Sequence, residues 1–378
     1  MTEQALAAVL VRTGRDAAFE LREFPLPAIT ADDGILRVTR CGICGSDYRR
    51  FRREMSDQME GGDRQDRRPL PAILGHEITG AVVALGSAAR RNWRVSEGDE
   101  VFVESNITCH HCAACATGRF KACRESFSYG LSVSSDEPPH LWGGYAQYLY
   151  LHPGTLLHRL PAGVSAEDAV LATPISNGFQ WACAAPRLHY GDAIVILGPG
   201  QHGLGCVAAA KASGAGLIIV VGLRRDAKRL QLARRLGADH VVLADEEPVV
   251  ERVREITGGE MADVVVEVSG GPSAQRDAID LARRGGVIVW ATGGASTVTP
   301  MAMDRVTKRS LTLKGVLSHG FAEIEQALAL VASRALPVTE MTTHTVPLRE
   351  AEHAVCLAGN EFSDEEAIHV NIDPWATA

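Results

Sequence analysis

The sequence predicts an α/β chain of two domains, one β-rich and the other a doubly wound parallel sheet with crossover helices. Three observations lead there. Short apolar runs broken by Gly, Pro and Asp fill about the first 170 residues, the pattern of an antiparallel β domain. Beyond Gly191, six β-branched runs recur with helix-like segments between most of them. At the head of that alternation, a glycine-rich turn joins the first run to a helix.

The totals agree. With 378 residues the chain exceeds one compact core, so two domains are expected. A formal net charge of −8 and the lack of a long basic tract exclude general affinity for nucleic acid or anionic membrane. No segment approaches the length needed to span a bilayer, and the start at Met1 has neither a basic region nor a cleavage pattern. A cytoplasmic location is the expectation.

In the first domain the expected strands include Gly34 to Thr39, Ile78 to Leu85, Asp99 to Val103 and Tyr145 to Leu151. Between the first two, residues 51–68 are dense in charge and nearly free of aliphatics. They read as a solvated loop or short exposed helix. The run from Cys109 to Cys123 holds Cys109, Cys112, Cys115 and Cys123, four sulfurs on one short loop. That spacing suits a closed tetrahedral zinc site, which does no chemistry and clips the loop. His110 and His111 break the spacing and read as exposed loop residues. Cys41, Cys44, Cys183, Cys206 and Cys356 are scattered among apolar neighbours, and most of them read as buried thiols.

In the second domain the strands are Ala193 to Leu197, Leu217 to Val221, His240 to Leu243, Val264 to Val268, Gly286 to Trp290 and Leu311 to Val316. Asp226 to Gly237 reads as a helix with Leu230, Ala233 and Leu236 on one face and Gly237 as its stop. A further helix covers Ala322 to Ser333. The last sixty or so residues are expected to fold back onto the first domain.

Gly198, Gly200 and Gly203 form Gly-x-Gly-x-x-Gly directly after a strand and before a helix from Leu204 to Ser213. In that context the turn predicts dinucleotide binding, with the pyrophosphate at the helix N-terminus. His202 reads as an exposed filler of the turn. At the end of the second strand, where a carboxylate would normally hold the ribose 2′-hydroxyl, the chain has Gly222, Leu223, Arg224 and Arg225. Either a 2′-phosphate is accommodated and neutralised there, favouring NADP, or the arginines solvate a helix start.

Two more fragments carry chemistry: Arg40 to Asp47, containing Cys44 and Ser46, and Leu74 to Glu77, containing His76. One thiolate, one imidazole and nearby carboxylates are what an open zinc site requires.

In this order and spacing, the motifs resemble the zinc-dependent medium-chain alcohol and polyol dehydrogenase family over essentially the whole chain. The resemblance implies a β-rich GroES-like catalytic domain over 1–176 and 316–378, with a Rossmann domain over 177–315. It implies Cys44 and His76 as ligands of a catalytic zinc, Glu77 as a carboxylate able to approach the metal, and Asp47 orienting His76. Ser46 would accept the substrate's proton, and Cys41 would be structural. His369 matches a position where the family often has a basic residue, and is expected to touch the pyrophosphate. His319 follows the sixth strand, near where a nicotinamide would lie, and reads mainly as structural.

Two departures stand out. Thr173 falls where the family has an anionic zinc ligand, and a neutral hydroxyl is a poor one. The catalytic zinc is then held by Cys44, His76 and Glu77, weakly bound, or absent. Arg49 falls where a histidine commonly relays the proton, and a guanidinium does not cycle its proton near neutral pH. Either the relay exits through water or the cofactor ribose, or Arg49 binds an anionic part of cofactor or substrate.

The expected activity is hydride transfer between NAD(P) and a secondary alcohol or polyol, in a homodimer or homotetramer. Two alternatives stay open: a zinc-free reductase of an activated C=C bond, which Thr173 favours, and a non-catalytic nucleotide-binding protein.

Overall fold

The computed structural model describes residues 4–52, 68–291, 300–362 and 365–377. The charged stretch over 51–68 therefore lies almost wholly outside the described residues. The chain forms two compact units, Met1–Val170 with Thr342–Ala378, and Leu171–Met341. The boundaries expected at 176/177 and 315/316 thus fall at 170/171 and 341/342. The reason is packing. The helix Phe321–Ser333 buries Ile324, Ala327, Leu328 and Val331 and lies on the helix Ala172–Gly178, which in turn packs on the helix Gln201–Ala212. Residues 316–341 therefore belong with the parallel sheet.

The first unit is β-rich. A hairpin of Gln4–Arg12 and Ala18–Pro25 takes Ala72–Ile73 as a third strand. A seven-stranded sheet runs in the order Leu157–Arg159, Glu100–Val103, Glu77–Leu85, Gly34–Gly42, His369–Asp373 and Thr342–Pro347, with Tyr148–Leu151 also paired to Gly34–Gly42. The apolar pattern sets the register. Leu36 pairs with Val82 on one side and Leu149 on the other, and all three are fully buried. Truncating such a side chain to alanine costs about 2–5 kcal/mol. Residues from Thr342 on return here, fewer than the sixty or so expected: Asn371 and Ile372 pair with Gly42 and Cys41 in antiparallel register.

The second unit holds a six-stranded sheet in the order His240–Leu243, Leu217–Gly222, Ala193–Leu197, Ala262–Glu267, Ala282–Trp290 and Thr312–Gly315. Each pairing is parallel. The central strands read as unbroken apolar runs because both faces are covered, and Ile194, Val195, Ile196, Ile218, Ile219 and Val220 are fully buried. Strand order reverses on either side of Ala193–Leu197, which puts the glycine-rich turn at the switch point. The helix Ala227–Leu236 buries Leu230, Ala233 and Leu236 and stops at Gly237, φ +114°. No helix of the described residues is long and apolar enough to cross a membrane.

Candidate active site and metal centres

The four-cysteine loop comes together. Cys109 Sγ lies 3.9 Å from Cys115 Sγ and 3.6 Å from Cys123 Sγ, and all four sulfurs are within 4.8 Å of one another. A tetrahedron with zinc–sulfur arms of about 2.3 Å has edges of about 3.8 Å, so the separations fit one zinc ion. All four are free cysteines, not disulfides. The backbone N–H of Cys112 donates to Cys109 Sγ at 3.3 Å and that of Cys115 to Cys112 Sγ at 3.5 Å, which favours thiolate. The Cys115 N–H, helped by the Cys109 side chain, brings the Cys112 thiol down to about 7. His110 and His111 are exposed, and their rings contact the carbonyls of Gly154 and Cys109.

The second constellation is built by strand register. Gly42 pairs with Glu77 across the antiparallel strands Gly34–Gly42 and Glu77–Leu85, so the turn after Gly42 meets the residues just before Glu77. Cys44, His76 and Glu77 each offer a ligand atom within 4.8 Å of the others. Cys44 is the N-cap of the helix Gly45–Phe51, and its N–H donates to Asp47 Oδ2 at 3.0 Å. The other Asp47 oxygen, Oδ1, stands 3.4 Å from His76 Nδ1, an ion-pair contact outside hydrogen-bond geometry. One fully buried carboxylate therefore touches both ligand segments. Burial alone would push the His76 imidazole down, but the charges and contacts of Asp47 and Cys44 outweigh it and hold its pKa well up. Ser46 Oγ lies 3.3 Å from His76 Nε2.

Glu77 supplies the test of metal fit. Its Oε1 is buried with no hydrogen-bond partner among the described residues. A carboxylate oxygen buried and unpaired costs several kcal/mol, roughly, unless a cation meets it. With a thiol and an imidazole beside it, this donor set fits zinc.

His369 departs from its expected place. Rather than presenting its ring to a pyrophosphate, it is fully buried, with Nε2 3.3 Å from Glu77 Oε2 and Nδ1 3.3 Å from Thr342 Oγ1. Both ring nitrogens are thus engaged inside the first unit. Cys41 is fully buried, and burial pushes its thiol well up. Arg49 is partly buried on the helix Gly45–Phe51. Thr173 lies in the second unit on the helix Ala172–Gly178, its Oγ1 buried without a hydrogen-bond partner among the described residues.

At the nucleotide turn, a Cβ on Gly203 would run into the Gly198 carbonyl, so only glycine lets the helix Gln201–Ala212 start this close to the strand. Gly222 ends the second strand and is buried. A Cβ there would meet Leu230 Cδ2 at 2.9 Å and Pro199 Cγ at 3.0 Å, so any larger residue would have to displace these side chains. Arg224 and Arg225 are exposed. The Arg224 N–H donates to Asp245 Oδ1 at 3.0 Å, and its guanidinium pairs with Glu246.

Sequence reasoning does not reach Thr342, which contacts His369 only through strand pairing between distant segments. Nor does it reach Asn177, whose one signal is a polar side chain inside the fully buried helix Ala172–Gly178.

Comparisons with known proteins agree with this geometry. Residues 30–162 match the family described as alcohol dehydrogenase GroES-like domain, and residues 203–333 that described as zinc-binding dehydrogenase. The chain is 37% identical over 362 residues to a probable alcohol dehydrogenase of Mycobacterium tuberculosis, covering 94% of this chain and 95% of that one. It is 29% identical to a sorbitol dehydrogenase of Bacillus subtilis over 93% of each. Among solved structures, an alcohol dehydrogenase of Thermotoga maritima superposes with a TM-score of 0.85 at 26% identity, over 98% of this chain and 99% of that one. The chain belongs to the zinc-type medium-chain alcohol dehydrogenase family, and is an oxidoreductase of alcohols or polyols that uses zinc and NAD(P).

Proposed function

We propose that the chain oxidises a secondary alcohol or polyol to its carbonyl compound at the Cys44, His76 and Glu77 constellation. The observation that carries this is the buried Glu77 Oε1, without a hydrogen-bond partner among the described residues, beside the thiol of Cys44 and the imidazole of His76. Zinc held by these residues would supply Lewis-acid polarisation of the substrate oxygen, and bound NAD(P) would supply the hydride acceptor. Asp47 orients both ligand segments, and Ser46, its Oγ 3.3 Å from His76 Nε2, takes the alcohol's proton as it passes its own hydroxyl proton on to water. Arg49 binds an anionic part of cofactor or substrate. The four-cysteine loop holds a separate zinc whose role is structural.

Three finer readings complete the proposal. Arg224 and Arg225 would favour NADP over NAD by neutralising a 2′-phosphate. The strand Thr312–Gly315 ends its sheet, with Leu317 nearby 77% exposed, which supports a homodimer or homotetramer covering that edge. A cytoplasmic location suits the reduced thiols that both zinc sites need.

The test is Ser46→Ala assayed on a panel of secondary alcohols and polyols. Its kcat/KM should fall by about a hundredfold or more while zinc content stays at the wild-type value. Unchanged kcat/KM would remove Ser46 from proton transfer, and no turnover by wild type on any alcohol would remove the activity.

A further inference from the structure

The rim of the four-cysteine loop carries two more metal-ligating side chains that the closed site leaves out. A ring nitrogen of His111, a carboxylate oxygen of Glu125 and Cys109 Sγ all lie within 4.8 Å of one another. His111 and Glu125 are exposed, and Cys109 is half-buried.

Local structure brings the three together. The short strands Asn106–Ile107 and Phe127–Ser128 pair antiparallel, with Ile107 opposite Phe127. Two residues on from Ile107 stands Cys109, and two residues back from Phe127 stands Glu125. In an antiparallel pair those two steps run the same way along the ladder, so both residues arrive at one edge. Cys123 Sγ, 3.6 Å from Cys109 Sγ, keeps the two segments close there. His110 takes φ +60°, a left-handed turn that brings the His111 ring back to Cys109, with Nδ1 2.6 Å from the Cys109 carbonyl oxygen.

These contacts leave donor atoms for a cation. A carbonyl oxygen only accepts, so His111 Nδ1 carries the ring proton and Nε2 keeps its lone pair. An imidazole whose other nitrogen donates to a backbone carbonyl is oriented as a metal ligand is. Four thiolates around one Zn²⁺ leave excess negative charge on sulfur, so Cys109 Sγ can bridge to a second ion, and the Glu125 carboxylate adds to the attraction. Metal–ligand arms of about 2.0–2.3 Å put donor atoms about 3.3–3.8 Å apart. Closing from 4.8 Å therefore asks for at most about 1.5 Å of movement, which exposed side chains can supply. One thiolate, one imidazole and one carboxylate suit a borderline divalent ion such as Zn²⁺ or Co²⁺, not Mg²⁺ or Ca²⁺.

We propose that Cys109, His111 and Glu125 bind a second, exchangeable divalent transition-metal ion at the rim of the closed site, with Cys109 Sγ bridging the two ions. This rests on the four-cysteine zinc reading above, and it gives His111 a ligand role where loop spacing alone assigns it none. With two of its three ligands exposed, the rim ion exchanges with solvent while the four-sulfur ion is retained.

The test titrates Co²⁺ into the zinc-loaded protein, as wild type, His111→Ala and Glu125→Gln, with zinc and cobalt per chain measured after equilibrium dialysis. Wild type should take up one cobalt while keeping its zinc, and a sulfur-to-cobalt charge-transfer band in the near ultraviolet should rise with it. Each variant should weaken the Kd of that cobalt by about tenfold or more and lower the band in step. No cobalt beyond displaced zinc, a bound cobalt without the sulfur band, or either variant titrating as wild type or shedding the loop zinc would each overturn the proposal. Cys112→Ser separates the two readings. If it loses no zinc, the closed four-sulfur site is wrong and this proposal falls with it, whereas a loop zinc lost in Cys112→Ser together with any of those results overturns the bridged ion alone.

Discussion

His369 Nε2 stands 3.3 Å from Glu77 Oε2, and both side chains are fully buried. The contact ties the strand His369–Asp373 to the metal-ligand segment, 292 residues away in the chain. His369→Leu should therefore lower stability by about 2 kcal/mol, the cost of a hydrogen bond to a charged, buried group. Since the ring is engaged within the first unit, the Kd for NAD(P)H should stay within about twofold of wild type. Urea unfolding and cofactor titration check the two halves. A tenfold loss of cofactor affinity at wild-type stability would return His369 to the pyrophosphate.

In the four-cysteine loop, the Cys115 N–H brings the Cys112 thiol to about 7, whereas burial pushes Cys356 up to about 11. After zinc is stripped by a chelator, Cys112 should be among the first thiols alkylated by iodoacetamide at about pH 7.5, and Cys356 among the last. With zinc bound, Cys112 should be protected. Cys112→Ser should lose one zinc per chain and melt at a lower temperature, because metal binding and folding are coupled in such loops. Peptide mass spectrometry and thermal melts read these out. One zinc lost at unchanged melting temperature would deny the structural role.

How far the sequence reaches depends on the range of the contact. The six parallel strands, the glycine-rich turn and the cysteine loop are legible because period, turn chemistry and ligand spacing are local. Cys44 and His76 are far apart in sequence, yet two strands in register bring them together, and short motifs mark both ends. The helix Phe321–Ser333 is legible as a helix, but its apolar face does not say which sheet it covers, so the boundary at 341/342 is not. His369 carries no local sign that its partner is Glu77. Asn177 likewise looks like any polar residue in a helix until His202 and His319 are placed beside it.

Arg52 and Glu361 form an ion pair that holds the strand-end helix Gly45–Phe51 to the segment after Ala351–Ala358. The hydrogen bond from Arg52 lowers the Glu361 pKa. A carboxylate whose folded pKa is depressed stabilises the fold above its unfolded pKa, and that stabilisation is lost as pH falls through the folded pKa. Glu361→Gln should thus be less stable than wild type at neutral pH, with the gap closing below about pH 4. Denaturant midpoints across pH test this. A gap that widens with acidification would contradict it.

Cofactor choice rests on Arg224 and Arg225, with Glu246 already pairing the first of them. Wild type should use NADP with a higher kcat/KM than NAD, and the Arg224→Ala/Arg225→Ala double variant should reduce the NADP value by about tenfold or more. The value for NAD should change little. A preference for NAD in wild type, or NADP kinetics untouched in the double variant, would leave these arginines as surface charge.

The most direct test of the account is zinc content per chain, measured together with alcohol oxidation, in wild type, Cys44→Ala, Glu77→Gln and Thr173→Glu. Wild type should carry two zincs, one at Cys109, Cys112, Cys115 and Cys123 and one at Cys44, His76 and Glu77. Cys44→Ala and Glu77→Gln should each retain only the loop zinc tightly and lose alcohol oxidation, while Thr173→Glu should keep both ions. A wild type with the loop zinc alone and a fully active Cys44→Ala would contradict the metal mechanism and favour the zinc-free reductase.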